Sequence, residues 1–268
     1  MPRTVGSSRG GHDVVSADNV LKPIRSVGDF YAMAMDALVA MVKPPFAWRE
    51  FFLQTWFVAR VAVVPTLLLA IPFTVLVVFT INVLLTEFGA TDFSGTGAAS
   101  AAVTEIGPIV TVLVVAGTGA TAMCADLGAR TIRDELDALR VMGVDPVHRL
   151  VVPRVLAATI VAVSLVSLVT FVGLVGSFSF AVFVQHVTPG AFAAGLTLFT
   201  GLPDIILGLV KGALFGLSAA LIACYKGMSV RRGPQGVGNA VNETVVYSFI
   251  ALFVINIVAT AVYYTSVK

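Results

Sequence analysis

Five stretches of this chain are about as long as a bilayer-crossing helix, roughly 20 residues or more, and almost free of charge: Val61–Thr86, Ile106–Ala125, 151–184, Ile205–Tyr225 and Val245–Val267. Hydrocarbon offers no water to a backbone amide, so each such stretch has to satisfy its own hydrogen bonds as a helix. Charged residues make up 12% of the chain and the mean hydropathy is +0.95. A soluble domain carries about twice that charged share, roughly 25%. The expected fold class is therefore an all-α polytopic membrane protein with five transmembrane helices. The third stretch is uncharged from Val155 to Val184, about 45 Å of helix at 1.5 Å per residue. Tilting, or a break near Gly173 and Gly176, would absorb that length.

Charge gives the expected orientation. Arg3, Arg9, Lys22, Arg25, Lys43, Arg49 and Arg60 precede the first span, and the loops after the second and fourth spans are basic, the latter through Lys226, Arg231 and Arg232. The loops after the first and third spans hold no Lys or Arg. The positive-inside rule then places the N-terminus in the cytoplasm and the C-terminus outside. Splitting the third stretch in two would put Arg231 outside, so it counts as one span. Residues 1–26 are polar, without an apolar core, and read as a disordered cytoplasmic tail rather than a signal peptide. Residues 27–60 read as amphipathic or interfacial helices. Phe30, Met33, Ala34, Ala37, Leu38 and Met41 recur at helical spacing, and Pro44-Pro45 ends that run. Trp48, Phe51, Phe52 and Trp56 then share a face, with Glu50 and Gln54 away from it. This segment reads as a helix lying in the membrane interface; the alternative is an extension of the first span. Residues 61–268 form the membrane domain.

The charged stretch Asp126–Arg154 is caught between the second and third spans. Within it Ile132, Leu136, Leu139 and Met142 make one apolar stripe of a helix. Thr131 with Asp134 resembles a capping box, Gly143 suits a helix end, and Pro146 prevents continuation. Asp134, Glu135 and Asp137 near the start and Arg140 near the end suit the helix dipole. The expectation is a short amphipathic helix that either couples to a soluble partner or merely packs on its own spans. Inside the fourth span, Lys211 is an ionisable residue that costs a few kcal/mol unless paired, hydrated or snorkelling. Glu105 is its natural partner, with snorkelling as the alternative. Gly208, Gly212 and Gly216 repeat every four residues, a face that a second helix can approach closely, within the subunit or across a dimer. Asn82 and Asn256 read as interhelical hydrogen-bond formers. Cys124 and Cys224 have no metal or redox spacing. No GxxxxGK[ST] or HExxH pattern occurs and no GxSxG or acid–base dyad stands out, so neither catalysis nor a cofactor or metal is expected in this chain. A net charge of +2 gives no ground for nucleic acid.

The stretch GARTIRDELDALRVMGVDPVHRLVVPRVLA (128–157) resembles the signature of the MlaE/YrbE permease family, with Glu135, Asp137, Ala138, Leu139, Met142, Gly143 and Pro146 at the pattern positions. TEIGPIVTVLVVAG (104–117) and VKGALFGL (210–217) extend the resemblance. WREFFLQTWF and VNETVV are most similar to actinobacterial YrbE subunits of the A-type in Mce systems. The resemblance implies a permease subunit of an ABC-type lipid importer in the plasma (inner) membrane. It implies a paralogous YrbE-type permease as partner, a cytoplasmic MceG-like ABC ATPase that binds ATP and Mg, and MCE-domain proteins on the outer side. The lipid would be a fatty acid, mycolic acid, sterol or phospholipid. The ATPase would grip Arg133, Asp134, Glu135, Leu136, Asp137, Leu139, Arg140, Met142, Gly143 and Pro146, a coupling helix. Glu105 and Lys211 would have a buried role in the lipid path. The sequence departs from the family at Thr104, where many members have Arg before the glutamate. A different class, an ion- or proton-coupled secondary transporter, would use Glu105 and Lys211 as its coupling pair. No inverted repeat supports it.

Overall fold

The computed structural model describes residues 12–43, 47–89, 97, 101–184, 188–199, 201–230 and 233–266, and the described residues contain helices and no strand. Five helical segments are long and apolar enough to cross a membrane: Trp48–Leu85, Thr104–Ile132, Val147–Phe183, Leu202–Met228 and Pro234–Ser266. The chain is a multi-pass membrane protein.

Helix α1 covers His12–Ala40 and so begins well before the residues expected to form the first helix. Polar composition argues against a buried face, not against a helix as such, and the expected disordered tail is helical from His12 onward. Ser26 and Phe30 fix α1 to the end of the fourth span: the Tyr225 hydroxyl donates to the Ser26 carbonyl at 2.9 Å, and the Phe30 and Tyr225 rings meet edge-on at 5.6 Å. Helix α2 runs unbroken from Trp48 to Glu87, with Pro65 and Pro72 inside it. The separate interfacial helix expected over 46–60 is therefore the first part of the first span. No glycine or proline interrupts 48–60, so nothing there ends a helix. Trp48, Phe52 and Trp56 are exposed, while Gln54 on the opposite face is buried.

The second span is assembled from a π turn (Ala102–Ile106), α3 (Gly107–Val114), a second π turn (Val115–Ala120) and α4 (Thr121–Ile132). It continues past Ala125 into the charged stretch. Thr111, Thr118 and Thr121 turn their hydroxyls back onto carbonyls four residues earlier, which keeps these polar groups satisfied inside an apolar helix. After α5 (Glu135–Val141) and a π turn (Val147–Val151) comes α6 (Val152–Phe183). No break occurs at Gly173 or Gly176. A Cβ on Gly176 would make only an ordinary contact, 3.6 Å, with Thr74 of α2. The loop expected over 185–203 contains α7 (Pro189–Phe199), and α8 (Leu202–Met228) and α9 (Pro234–Ser266) complete the chain. α9 takes up most of the loop expected before the fifth span; Arg231 and Arg232 lie outside the described residues.

α2 packs on α6, α6 on α8 and α8 on α9, and the second span fills the groove they leave. The most apolar window of that span is 61% buried, against 11% for α9; the second span is the core, and α9 packs on it through Ala240, Thr244 and Leu252 while leaving most of its own surface exposed. The glycine face packs inside the chain, against α6. A Cβ on Gly216 would lie 2.6 Å from both the Ala158 carbonyl oxygen and the Thr159 Cα, and one on Gly212 would lie 3.3 Å from the Val163 Cα. Gly208 is buried in the same helix. Cys124 and Cys224 are buried free thiols.

Candidate functional site

Two places concentrate chemistry: the charged turn after α4, and the buried cation of α8. The turn begins where α4 stops at Ile132. Arg133 leaves helical geometry and Asp134 takes φ 57°, ψ 19°, the left-handed region that Asp tolerates better than most residues. The chain reverses there and α5 starts at Glu135. The expected capping box is not formed. The Thr131 hydroxyl lies 2.9 Å from the carbonyl oxygens of both Leu127 and Gly227, so it ties α4 to α8. Asp134 makes no side-chain cap, and Ile132 belongs to α4 rather than to the α5 stripe.

The rest of the stripe divides into a base and a tip. Leu136 is buried in the main core and Leu139 packs partly against it. Val141 is 89% exposed and Met142 67%. The end of α5 is fixed by its backbone. Val144 N–H donates to Leu139 O at 2.9 Å and Gly143 N–H to Arg140 O at 3.0 Å, with Gly143 at φ 75°. This is the Schellman arrangement, which needs a residue free to adopt positive φ. Gly143→Ala is expected to destabilise this end by about 1 kcal/mol, read as a lower thermal midpoint in detergent. Pro146 is buried and precedes the next π turn, where Val147 N–H donates to Asp145 Oδ1 at 2.9 Å. Arg133 pairs with Glu135 at 2.8 Å and Arg140 with Asp137 at 2.9 Å, both largely in solvent.

Sequence reasoning missed the charge cluster beneath this turn. Arg154, at the start of α6, has no exposed surface. Its Nη2 lies 2.5 Å from Asp126 Oδ2, and its Nη1 lies 3.6 Å from Glu50 Oε1. The available signal was an acid flush with the end of one uncharged run and an arginine flush with the start of the next.

In α8, Lys211 is 1% exposed and its ammonium nitrogen has no hydrogen-bond partner among the described residues. It does not snorkel to the surface of the chain. Glu105 lies in the π turn packed against α8 and is exposed; the structure brings that turn to α8 without a hydrogen bond between the two side chains. Asn256 Oδ1 is likewise unpartnered, so no interhelical bond is made to that oxygen, and the Asn82 side chain lies outside the described residues. Between α8 and α9 is an apolar cavity of about 830 Å³, walled by Ile206, Val210, Leu214, Val254 and Val258. Across its end the Tyr263 hydroxyl donates to Asp204 Oδ1 at 2.9 Å. That volume lies within the roughly 300–1,000 Å³ of small-molecule sites. Among the described residues no group of His, Cys, Asp and Glu is placed to hold a metal.

Residues 51–262 match the family described as Permease MlaE. A probable ABC transporter permease of Synechocystis is 35% identical over 67% of this chain and 69% of its own length. One of Rickettsia typhi is 28% identical over 90% of this chain and 93% of its own length. The intermembrane phospholipid transport system permease protein MlaE of Haemophilus influenzae is 28% identical over 67% of this chain and 69% of its own length.

Proposed function

This chain belongs to the MlaE permease family, and we propose that it is a permease subunit of an ABC-type lipid transporter whose separate ATPase seats on the tip of α5. The observation that carries the reading is the α5 tip itself. Val141 and Met142 are exposed on a helix pinned at its base by Leu136 and closed by the Gly143 turn. A rigid apolar tip ringed by Arg133, Asp137 and Arg140 suits a socket in a soluble protein. The sequence has no P-loop of its own, so energy has to come from a partner that binds ATP and Mg. The basic N-terminal region, with Lys226 after the fourth span, supports a cytoplasmic placement of this end by the positive-inside rule.

The α8–α9 apolar groove suits acyl chains. Lys211 is buried in α8 and does not line that groove, so an opening of the helices would let it meet an anionic head such as that of a fatty acid, a mycolic acid or a phospholipid, whereas a sterol has no charge to meet it. The exposed face of α9 suits a second permease subunit, a paralogue of YrbE type, and MCE-domain proteins would deliver lipid at the outer end for import. The likeness of WREFFLQTWF and VNETVV to actinobacterial YrbE subunits supports that assignment. Against a proton-coupled carrier built on Glu105 and Lys211 stands the match to a permease family whose relatives are named ABC transporter permeases.

Affinity purification of the tagged chain from its native membrane is the test. An ATPase should accompany the intact protein and be lost from Val141→Asp/Met142→Asp, while the permease remains monodisperse. Leu139 is left unchanged because it packs on the core. Equal ATPase recovery from both proteins would overturn the placement.

A further inference from the structure

We propose that Arg154 is a positioning residue for energy coupling: it holds the first span to the charged turn, so that a displacement of α5 moves α2. This rests on the reading of α5 as the ATPase seat. The geometry is a series of ion pairs and hydrogen bonds crossing four helices, tightest at Arg154–Asp126 and widest at Arg130–Glu135. Arg133 pairs with Glu135 at 2.8 Å, and Glu135 Oε2 lies 4.0 Å from Arg130 Nη1. Arg130 Nε lies 3.4 Å from Asp126 Oδ2, which also meets Arg154 Nη2 at 2.5 Å. Arg154 Nη1 then reaches Glu50 Oε1 at 3.6 Å, and Glu50 accepts from Gln54 Nε2 at 2.9 Å. The series starts on α5, passes through α4 and α6, and ends on α2.

The pairs differ in what could replace them. Arg140–Asp137 is exposed on both sides, and water can substitute for either partner. Arg154 has no exposed surface. Losing either carboxylate would leave a buried guanidinium partly unpaired, so the helices that carry the partners are held to move together. Arginine suits the position because its planar fork reaches two carboxylates at once while a third bond, Nη1 to Leu150 O at 2.9 Å, fixes its own helix. On α2, Glu50 and Gln54 face this cluster and Trp48, Phe52 and Trp56 face outward. A shift of α2 would thus be delivered to the surface of the bundle beside the membrane.

The experiment uses the purified complex with its bound ATPase in liposomes. A nitroxide is placed on α2 through Leu53→Cys, an exposed position; Cys124 and Cys224 are buried. The native cluster is compared with Glu50→Gln/Asp126→Asn/Arg154→Met, which removes the charges together and avoids leaving one alone. The neutral variant should keep the ATPase and its hydrolysis rate. The ATP-dependent change in the label spectrum and the lipid moved per ATP should each fall about tenfold. Arg154→Lys keeps the charge but not the two-carboxylate fork, should fall in between, and serves where the triple variant does not accumulate. An undiminished label response and transport ratio in the neutral variant, or in Arg154→Lys where that stands in, would overturn the proposal. If the unaltered protein carries no ATPase, the reading of α5 falls and the proposal with it. If it carries one and the label never responds to ATP, the proposal alone falls.

Discussion

Gly216→Val should leave almost no folded protein. A Cβ at this position would sit 2.6 Å from the Ala158 carbonyl oxygen and 2.6 Å from the Thr159 Cα. Both are backbone atoms of α6, so no rotamer change can make room and the two helices have to separate. Ordinary overpacking costs about 1–3 kcal/mol because side chains give way; here the cost should exceed that range. Gly212 provides an internal comparison. Its nearest obstacle is a Val166 methyl group at 2.9 Å, with the Val163 Cα at 3.3 Å, so Gly212→Ala should be damaging but recoverable. Gly238 on α9 has nothing within 4 Å, and Gly238→Ala should be neutral or slightly stabilising by helix propensity. The order Gly238, Gly212, Gly216 in thermal midpoint and monodisperse yield is the measurable outcome. Equal loss at all three would mean that the glycine repeat does not serve this crossing.

The existence of five spans was legible because hydrocarbon tolerates so few charges, but their ends were not. Charge does not mark the edge of the second span, since α4 continues through Asp126 and Arg130 to Ile132. Asp126 is paired with Arg154, and a charge that meets its opposite inside the protein does not terminate a helix. The same logic hid the start of α2: Glu50 and Gln54 face inward onto the cluster, so the aromatic residues mark the outer face of a span and not a separate interfacial helix. Thr131 and Asp134 had the spacing of a capping box, but a threonine hydroxyl can equally bond back to its own helix, and here it also reaches Gly227 of α8. The stripe Leu136–Leu139–Met142 was readable as one apolar face. Which part of it is free depended on how much of α5 lies over the core, a tertiary fact with no local signal. α7 lies in a stretch without Lys or Arg, which marks it as a loop between spans, yet PGAFAAGLTLF opens with a proline suited to a helix start.

Lys211→Met should make the protein more stable and less able to handle lipid. Lys211 is 1% exposed, its ammonium has no hydrogen-bond partner among the described residues, and it sits in a membrane-spanning helix. Insertion scales put a lysine at the middle of such a helix at about 2.5–3.5 kcal/mol unfavourable. Methionine has nearly the same length and reach and no charge, so the substitution should recover a large part of that cost, about 2 kcal/mol. The purified complex would then unfold at a higher temperature than the unaltered one. Function should move the other way. If the ammonium is kept to meet an anionic lipid head, the variant should carry far less lipid through purification, with transport down about tenfold or more. Glu105→Gln should lower stability modestly, because the Glu105 carboxylate, in the π turn packed against α8, is the opposite charge that favours the buried ammonium. The two readouts separate the alternatives. A lysine held for structure would give a lower unfolding temperature on substitution, and a lysine with no ligand would give unchanged lipid content. Only a cation retained at the expense of stability, to bind something absent from the chain itself, raises one and lowers the other.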